Sequence, residues 1–170
     1  PKDFRSATIN YNRQNNIIYQ LPKDVQLSIS FSYTLPGFSV TTEAKITQKC
    51  YFELYSKDEL PLDDFISLSH KIRNLLSFAV DNPLSISDIS VENEAVVTNF
   101  HDDTKSKIRM GLYYESSTPN LAIKKISRHS MLFNYNQIER DFPRILTNWI
   151  DAYENIDPAL NLYFSTKNNI

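Results

Sequence analysis

Three histidines and one cysteine are the side chains here best suited to act as base or nucleophile, and their surroundings argue against both roles. A nucleophile needs a base within hydrogen-bond reach. His70 falls on the border of a helical stripe beside Lys71, where a lone histidine packs or faces water. Cys50 shares a strand face with Phe52 and Leu54, so a buried, inert thiol is expected. The chain has no Gly-x-Ser-x-Gly nucleophile elbow. His101-Asp102-Asp103 is the most metal-like cluster, but structural zinc takes four ligands and the Cys or His partners are missing. That cluster reads as a solvated hairpin turn. The expectation is a chain with no catalytic residue, no metal site and no cofactor, although two acids from distant segments could still converge as a hydrolytic pair.

The cations are more informative. Lys105, Lys107, Arg109, Lys124, Lys125 and Arg128 place six of the eighteen Lys and Arg side chains within residues 105–128, where Glu115 is the only acid and His129 adjoins. This is the candidate RNA or phosphate patch, with Tyr113 or Tyr114 available to stack on a base. Lys105, Lys107 and Arg109 also alternate opposite an apolar strand face, as any solvated face does, and that plainer reading is preferred. Trp149, Tyr153, Tyr163 and Phe164 form a second cluster at helical spacing. The first two read as core, and Tyr163 with Phe164 as a surface for docking a neighbouring domain.

The elements that position these residues follow from hydrophobic period. Ile17, Ile18, Tyr19 and Leu21 make a short apolar run closed by Pro22. Val25, Leu27, Ile29, Phe31, Tyr33 and Leu35 then alternate with Gln26, Ser28, Ser30, Ser32 and Thr34, predicting a strand with one face on the core and one in water. Pro36-Gly37 signals a turn. Residues 49–55 predict a strand with Cys50, Phe52 and Leu54 on one face and Tyr51, Glu53 and Tyr55 on the other. After Pro61 the period becomes helical, through Phe65, Leu68, Ile72, Leu75, Leu76 and Ala79. Asp63 and Asp64 open this helix, Asn82-Pro83 stops it, and Ser67, Lys71, Arg73 and Asn74 mark its polar side.

Strand patterning resumes at Leu84, Ile86, Ile89 and Val91, with a bulge or break implied between Ile86 and Ile89. Residues 95–100 and 107–114 predict a hairpin around residues 101–104. Residues 116–120 read as a loop, and residues 121–135 are ambiguous. A helix then starts at Asp141 with Pro143 in its first turn, after a short turn capped by Asn136 and Glu139. Asp157-Pro158 predicts a fresh helical start. The sum is an α+β fold, a mostly antiparallel sheet or β-sandwich with one central helix and a helical C-terminal segment.

Composition bounds the class. A chain of 170 residues has the size of one domain, able to bury about 70% of the surface it exposes when unfolded. Two glycines, Gly37 and Gly111, leave little room for a phosphate-cradling loop. A net charge of −2 supplies no global field towards nucleic acid or anionic membrane. A single cysteine forms no internal disulfide, and no apolar run reaches the roughly 18 residues of a membrane span, so a cytoplasmic protein without membrane contact is expected. Opening on Pro1 and ending at Ile170, residues 1–170 are read as one β-rich domain cut from a longer protein.

Leu68-Ser69-His70-Lys71-Ile72-Arg73-Asn74-Leu75-Leu76-Ser77-Phe78-Ala79, followed by Asn82-Pro83-Leu84, resembles a stretch of the N-terminal domain of ApeA-like abortive phage-infection proteins. So do Leu146-Thr147-Asn148-Trp149, Pro158 and Asn161-Leu162-Tyr163-Phe164-Ser165, which extends the likeness over most of residues 17–166. The resemblance implies a β-rich domain preceding a helical HEPN domain with an Arg-x4-6-His ribonuclease motif, in a bacterial defence protein that cleaves RNA. Residues 63–66, 94–97 and 122–125 hold no arginine, so none of the histidines completes that motif and no active-site residue carries over. The function implied is a non-catalytic sensing or regulatory domain, with the HEPN domain, a phage-derived trigger and RNA as partners. Two other classes stand beside it: a carbohydrate- or other ligand-binding β-sandwich module resting on the Tyr-rich strands, and a stand-alone hydrolase.

Overall fold

The computed structural model describes residues 10–35, 46–99, 105–113 and 127–168. The fold is α+β with antiparallel sheets, and the chain forms two compact units, the first ending at Phe65 and the second starting at Ile66.

The first unit holds a three-stranded sheet in the order β1 (Ile17–Gln20), β2 (Val25–Thr34), β3 (Thr47–Ser56). Pro22 opens a 3-10 turn in which Lys23 and Asp24 adopt left-handed φ of 61° and 54°, and Leu21 N–H bonds the Val25 carbonyl at 2.7 Å to close the hairpin. β2 pairs β3 along its whole length, Val25 opposite Ser56 through Thr34 opposite Thr47. Val25 and Leu27 are buried, as the alternation predicts, and so is Leu21.

The polar face of β2 departs from expectation. Ser28 and Ser30 are buried, Ser30 at 1% exposure, whereas Ile29 and Phe31 are only half-buried. β2 is the central strand, and its short serines lie level with the longer Ile18 on β1 and with Glu53 and Tyr51 on β3. Their hydroxyls are satisfied internally, with Ser28 Oγ 3.2 Å from Ser30 Oγ and Ser30 Oγ donating to Glu53 Oε2 at 2.8 Å. Cys50 is also corrected, because it is exposed. β3 has a paired strand on one side only among the described residues, so its apolar face is less covered than that of β2. Neighbouring atoms still desolvate the thiol enough to raise its pKa.

α1 (Leu62–Ala79) carries Asp63 and Asp64 in its first turn, and Lys23 holds Asp64 at 3.1 Å. It ends in a Schellman motif: Asp81 N–H bonds the Phe78 carbonyl and Asn82 N–H bonds that of Ser77, with Asp81 at φ 55°. Asn74, expected on the polar side, is buried, as is Ser77. In the second unit β4 (Ser90–Asn99) and β5 (Lys105–Gly111) make a two-stranded hairpin, interrupted between Glu92 and Val97. The irregularity thus lies later than the sequence spacing implied, and residues 84–88 are not strand.

A 3-10 turn at Arg128–Ser130 and the short α2 (Tyr135–Ile138) precede α3 (Phe142–Asn168). The capping box of α2 is Asn134 with Gln137, two residues before the expected pair. α3 does not restart at Pro158, which lies inside it. Proline removes one helical hydrogen bond and crowds the carbonyl four residues back, at a cost of about 3 kcal/mol. Buried Tyr153 and Leu160 flank the proline on either side. The core of this unit is Ile72, Leu75 and Ala79 of α1 with Phe142, Leu146, Ile150, Tyr153 and Leu160 of α3.

Candidate functional site

The β4–β5 hairpin gathers the strand half of the cationic cluster. Lys105, Lys107 and Arg109 share one face, opposite Asn99, Val97 and Glu92, while Ser106 and Met110 face the other way, opposite Thr98 and Val91. Every residue of β5 is exposed, and so are most of β4. Between Glu92 and Val97 four residues of β4 stand against one of β5, Ile108. Asn93 Oδ1 accepts from Ala95 N–H at 2.8 Å within this bulge, and Glu94 projects from it to Lys107.

Two cations therefore meet carboxylates. Lys107 Nζ lies 2.9 Å from Glu94 Oε1, and Arg109 Nε lies 2.8 Å from Glu92 Oε1. Both pairs are solvent-exposed, so each contributes about 0.2–1 kcal/mol and can exchange for another anion. Among the described residues of the hairpin, three cations share this face with two acids. Arg128 lies exposed in its 3-10 turn, Tyr113 is fully exposed, and Lys124, Lys125 and Tyr114 fall outside the described residues, as do His101, Asp102 and Asp103. The opposite face carries Val96, Ile108 and Met110 as exposed apolar side chains. A ribbon exposed on both faces is marginal by itself.

The helices of the same unit are locked by polar contacts that spacing did not single out. Asn74 Nδ2 donates to the Tyr153 hydroxyl, while Arg73 Nε and Nη2 donate to Asn74 Oδ1 at 3.0 and 2.8 Å. Burial, then the Asp157 carboxylate, push the Tyr153 pKa to about 12. Trp149 Nε1 donates to the Lys71 carbonyl at 2.9 Å, and Lys71 Nζ pairs with Glu154 at 3.1 Å while lying over the Tyr153 ring. His70 is partly desolvated and near Arg73, both of which lower its pKa and keep it neutral.

A second lock joins the two helix ends. Asp81 accepts from the Tyr163 hydroxyl and from Lys167 Nζ, the latter at 2.8 Å. Phe78 stacks on Trp149 and meets the edges of Phe133 and Tyr163, and Phe164 packs against Tyr163. Tyr163 and Phe164 are thus half-buried within the unit. Asp81 had a sequence signal, since Asp tolerates the left-handed conformation a helix end requires. Asn74 had none, because a helical wheel puts it beside the polar side chains. Among the described residues no three His, Cys, Asp or Glu side chains could together hold a metal ion, and no helix is long and apolar enough to cross a membrane.

The chain is thus α+β, with antiparallel sheets, packed helices and an exposed charged hairpin. Residues 2–149 match the ApeA N-terminal domain 1 family, and the chain belongs to that family. Comparison with curated proteins and with solved structures returns no match.

Proposed function

We propose that this chain is the non-catalytic sensing and regulatory domain of a bacterial anti-phage protein of the abortive-infection type. Membership of the ApeA N-terminal domain 1 family carries the reading. The hairpin supplies a physical means, with an exchangeable charge ladder on one face and Val96, Ile108 and Met110 exposed around it. The effector is the helical HEPN ribonuclease that the ApeA likeness implies, working in the cytoplasm on RNA. A trigger activates it only by binding more tightly to the active arrangement than to the resting one. Lys105, Lys107, Arg109, Lys124, Lys125 and Arg128 are the residues assigned to RNA or phosphate contact, and Tyr163 with Phe164 are those assigned to docking of the effector.

The test is RNA cleavage by the longer protein in infected cells, with and without this domain, and with Ile108→Ser and Met110→Ser together. Loss of trigger-dependent control on deletion, and its weakening in the double variant, is the expected result. Unchanged control after deletion removes the proposal. A second reading, the ligand-binding module, has one specific observation in its favour: exposed Tyr51, Glu53 and Tyr55 stand in a row on one face of β3. Saturable quenching of tyrosine fluorescence by a panel of sugars, lost in Tyr51→Ala, would favour it over the first.

A further inference from the structure

β3 is ten residues long and pairs with β2 along one edge only; among the described residues no strand pairs with its other edge. It is exposed on both faces over residues 48–53, with Tyr51 and Phe52 at 42% and 43% and Tyr55 at 48%. A long edge with open N–H and C=O groups between aromatic side chains is a template for another strand. We propose that the occupant is β3 of a second copy of this chain, paired antiparallel about a two-fold axis through Tyr51 to make a continuous six-stranded sheet.

Symmetry and charge select this register. A two-fold axis perpendicular to the sheet must pass between two copies of the same residue, since side chains directly opposite share a face. Two such registers use nine of the ten residues: one centred on Tyr51, over residues 47–55, and one on Phe52, over residues 48–56. Centring on Tyr51 places Lys49 opposite Glu53 of the other copy, twice, and sets Cys50 opposite Phe52. Centring on Phe52 leaves Lys49 opposite Tyr55 and Glu53 opposite Tyr51, with no ion pair. A shift to Glu53 puts like charges together, Glu53 on Glu53 and Lys49 on Lys57. Ser30 already holds Glu53 through Oε2, fixing the carboxylate on the face where Lys49 of the other copy arrives. Backbone pairing uses the edge and leaves both sheet faces, including the Tyr51–Glu53–Tyr55 row, open.

The single cysteine reads the register directly. In the Tyr51-centred pairing the two Cys50 Cα atoms lie about 8 Å apart, from the strand spacing and two residues of rise. A short bismaleimide added to the full chain in solution should therefore yield a covalent dimer through Cys50, and sedimentation equilibrium should show a reversible dimer. Lys49→Glu and Glu53→Lys should each weaken self-association by about tenfold or more, because two attractions become two repulsions. Mixing the two variants should restore it, since each then meets the opposite sign. Should Glu53→Lys disturb folding through Ser30, Lys49→Glu alone still reports through the lost Cys50 cross-link. A chain that sediments as a monomer at every concentration overturns the proposal. So does a dimer that both charge variants leave unchanged.

Discussion

The Tyr163 hydroxyl near the end of α3 donates to Asp81 Oδ1, the carboxylate of the left-handed residue that terminates α1. Lys167 meets the other oxygen of the same carboxylate and lies over the Tyr163 ring. A residue in a strained conformation thus anchors the C-terminal turns of the longest helix, which explains an aspartate where glycine is the usual occupant.

Asp81→Asn keeps the left-handed tolerance and removes the charge. Hydrogen bonds from Lys167 and Tyr163 hold the Asp81 carboxyl below the ordinary carboxylate range. A depressed pKa gives stability that is present above the unfolded value near 4 and disappears as pH falls through the folded one. The difference in unfolding free energy between wild type and Asp81→Asn should therefore be largest near neutrality and shrink below about pH 4. Hydrogen exchange over residues 163–168 should quicken in the variant at pH 7. A pH-independent difference would assign the effect to geometry instead of charge.

Tyr153→Phe should destabilise the second unit by about 1–3 kcal/mol, because Asn74 is buried and loses its acceptor. The phenol also carries a pH signature. A raised pKa means that its contribution is complete below about 10 and is lost as pH rises towards about 12. Urea unfolding at stepped alkaline pH should show a decline in wild type over that window and a weaker one in the variant.

Ser30→Ala should cost about 0.5–1.5 kcal/mol, the net worth of its hydrogen bonds to Glu53 and Ser28. Ser30→Leu should cost more, about 1–3 kcal/mol, by overpacking a position exposed by only 1%. A neutral leucine variant, measured by denaturant midpoint, would mean that this face of β2 opens to water as its sequence pattern implied.

Glu92→Gln with Glu94→Gln should leave stability within about 1 kcal/mol, because both ion pairs are exposed. The same double variant should bind single-stranded RNA more tightly, with a steeper salt dependence, since Lys107 and Arg109 each lose a competing carboxylate. Replacing Lys124, Lys125 and Arg128 by Gln should act in the opposite direction. RNA affinity that ignores both sets of changes returns the cluster to an ordinary solvated face.

Period-two alternation was enough to place β2, and the change to helical spacing after Pro61 was enough to place α1, because side-chain direction follows directly from backbone geometry. The cationic alternation of Lys105, Lys107 and Arg109 was equally readable, as was a helix opening after Asp141 with Pro143 in its first turn. Partners were not. Glu94 meets Lys107 through the register in which β4 pairs with β5, and register belongs to the pairing of two strands rather than to either one.

What the sequence determined by itself was local: which segments are strand or helix, which faces alternate, and a family resemblance that its short motifs carry. Tertiary structure decided which polar side chains are buried. Ser30 is covered because β2 is the central strand between larger neighbours, Cys50 is exposed because β3 is paired on one side only among the described residues, and Asn74 is enclosed because Tyr153 arrives from a helix 79 residues away. α3 runs through Pro158 for the same reason. Packing on both sides of the proline outweighs a local preference to stop, and no spacing rule along one segment contains the energy of its contacts with another.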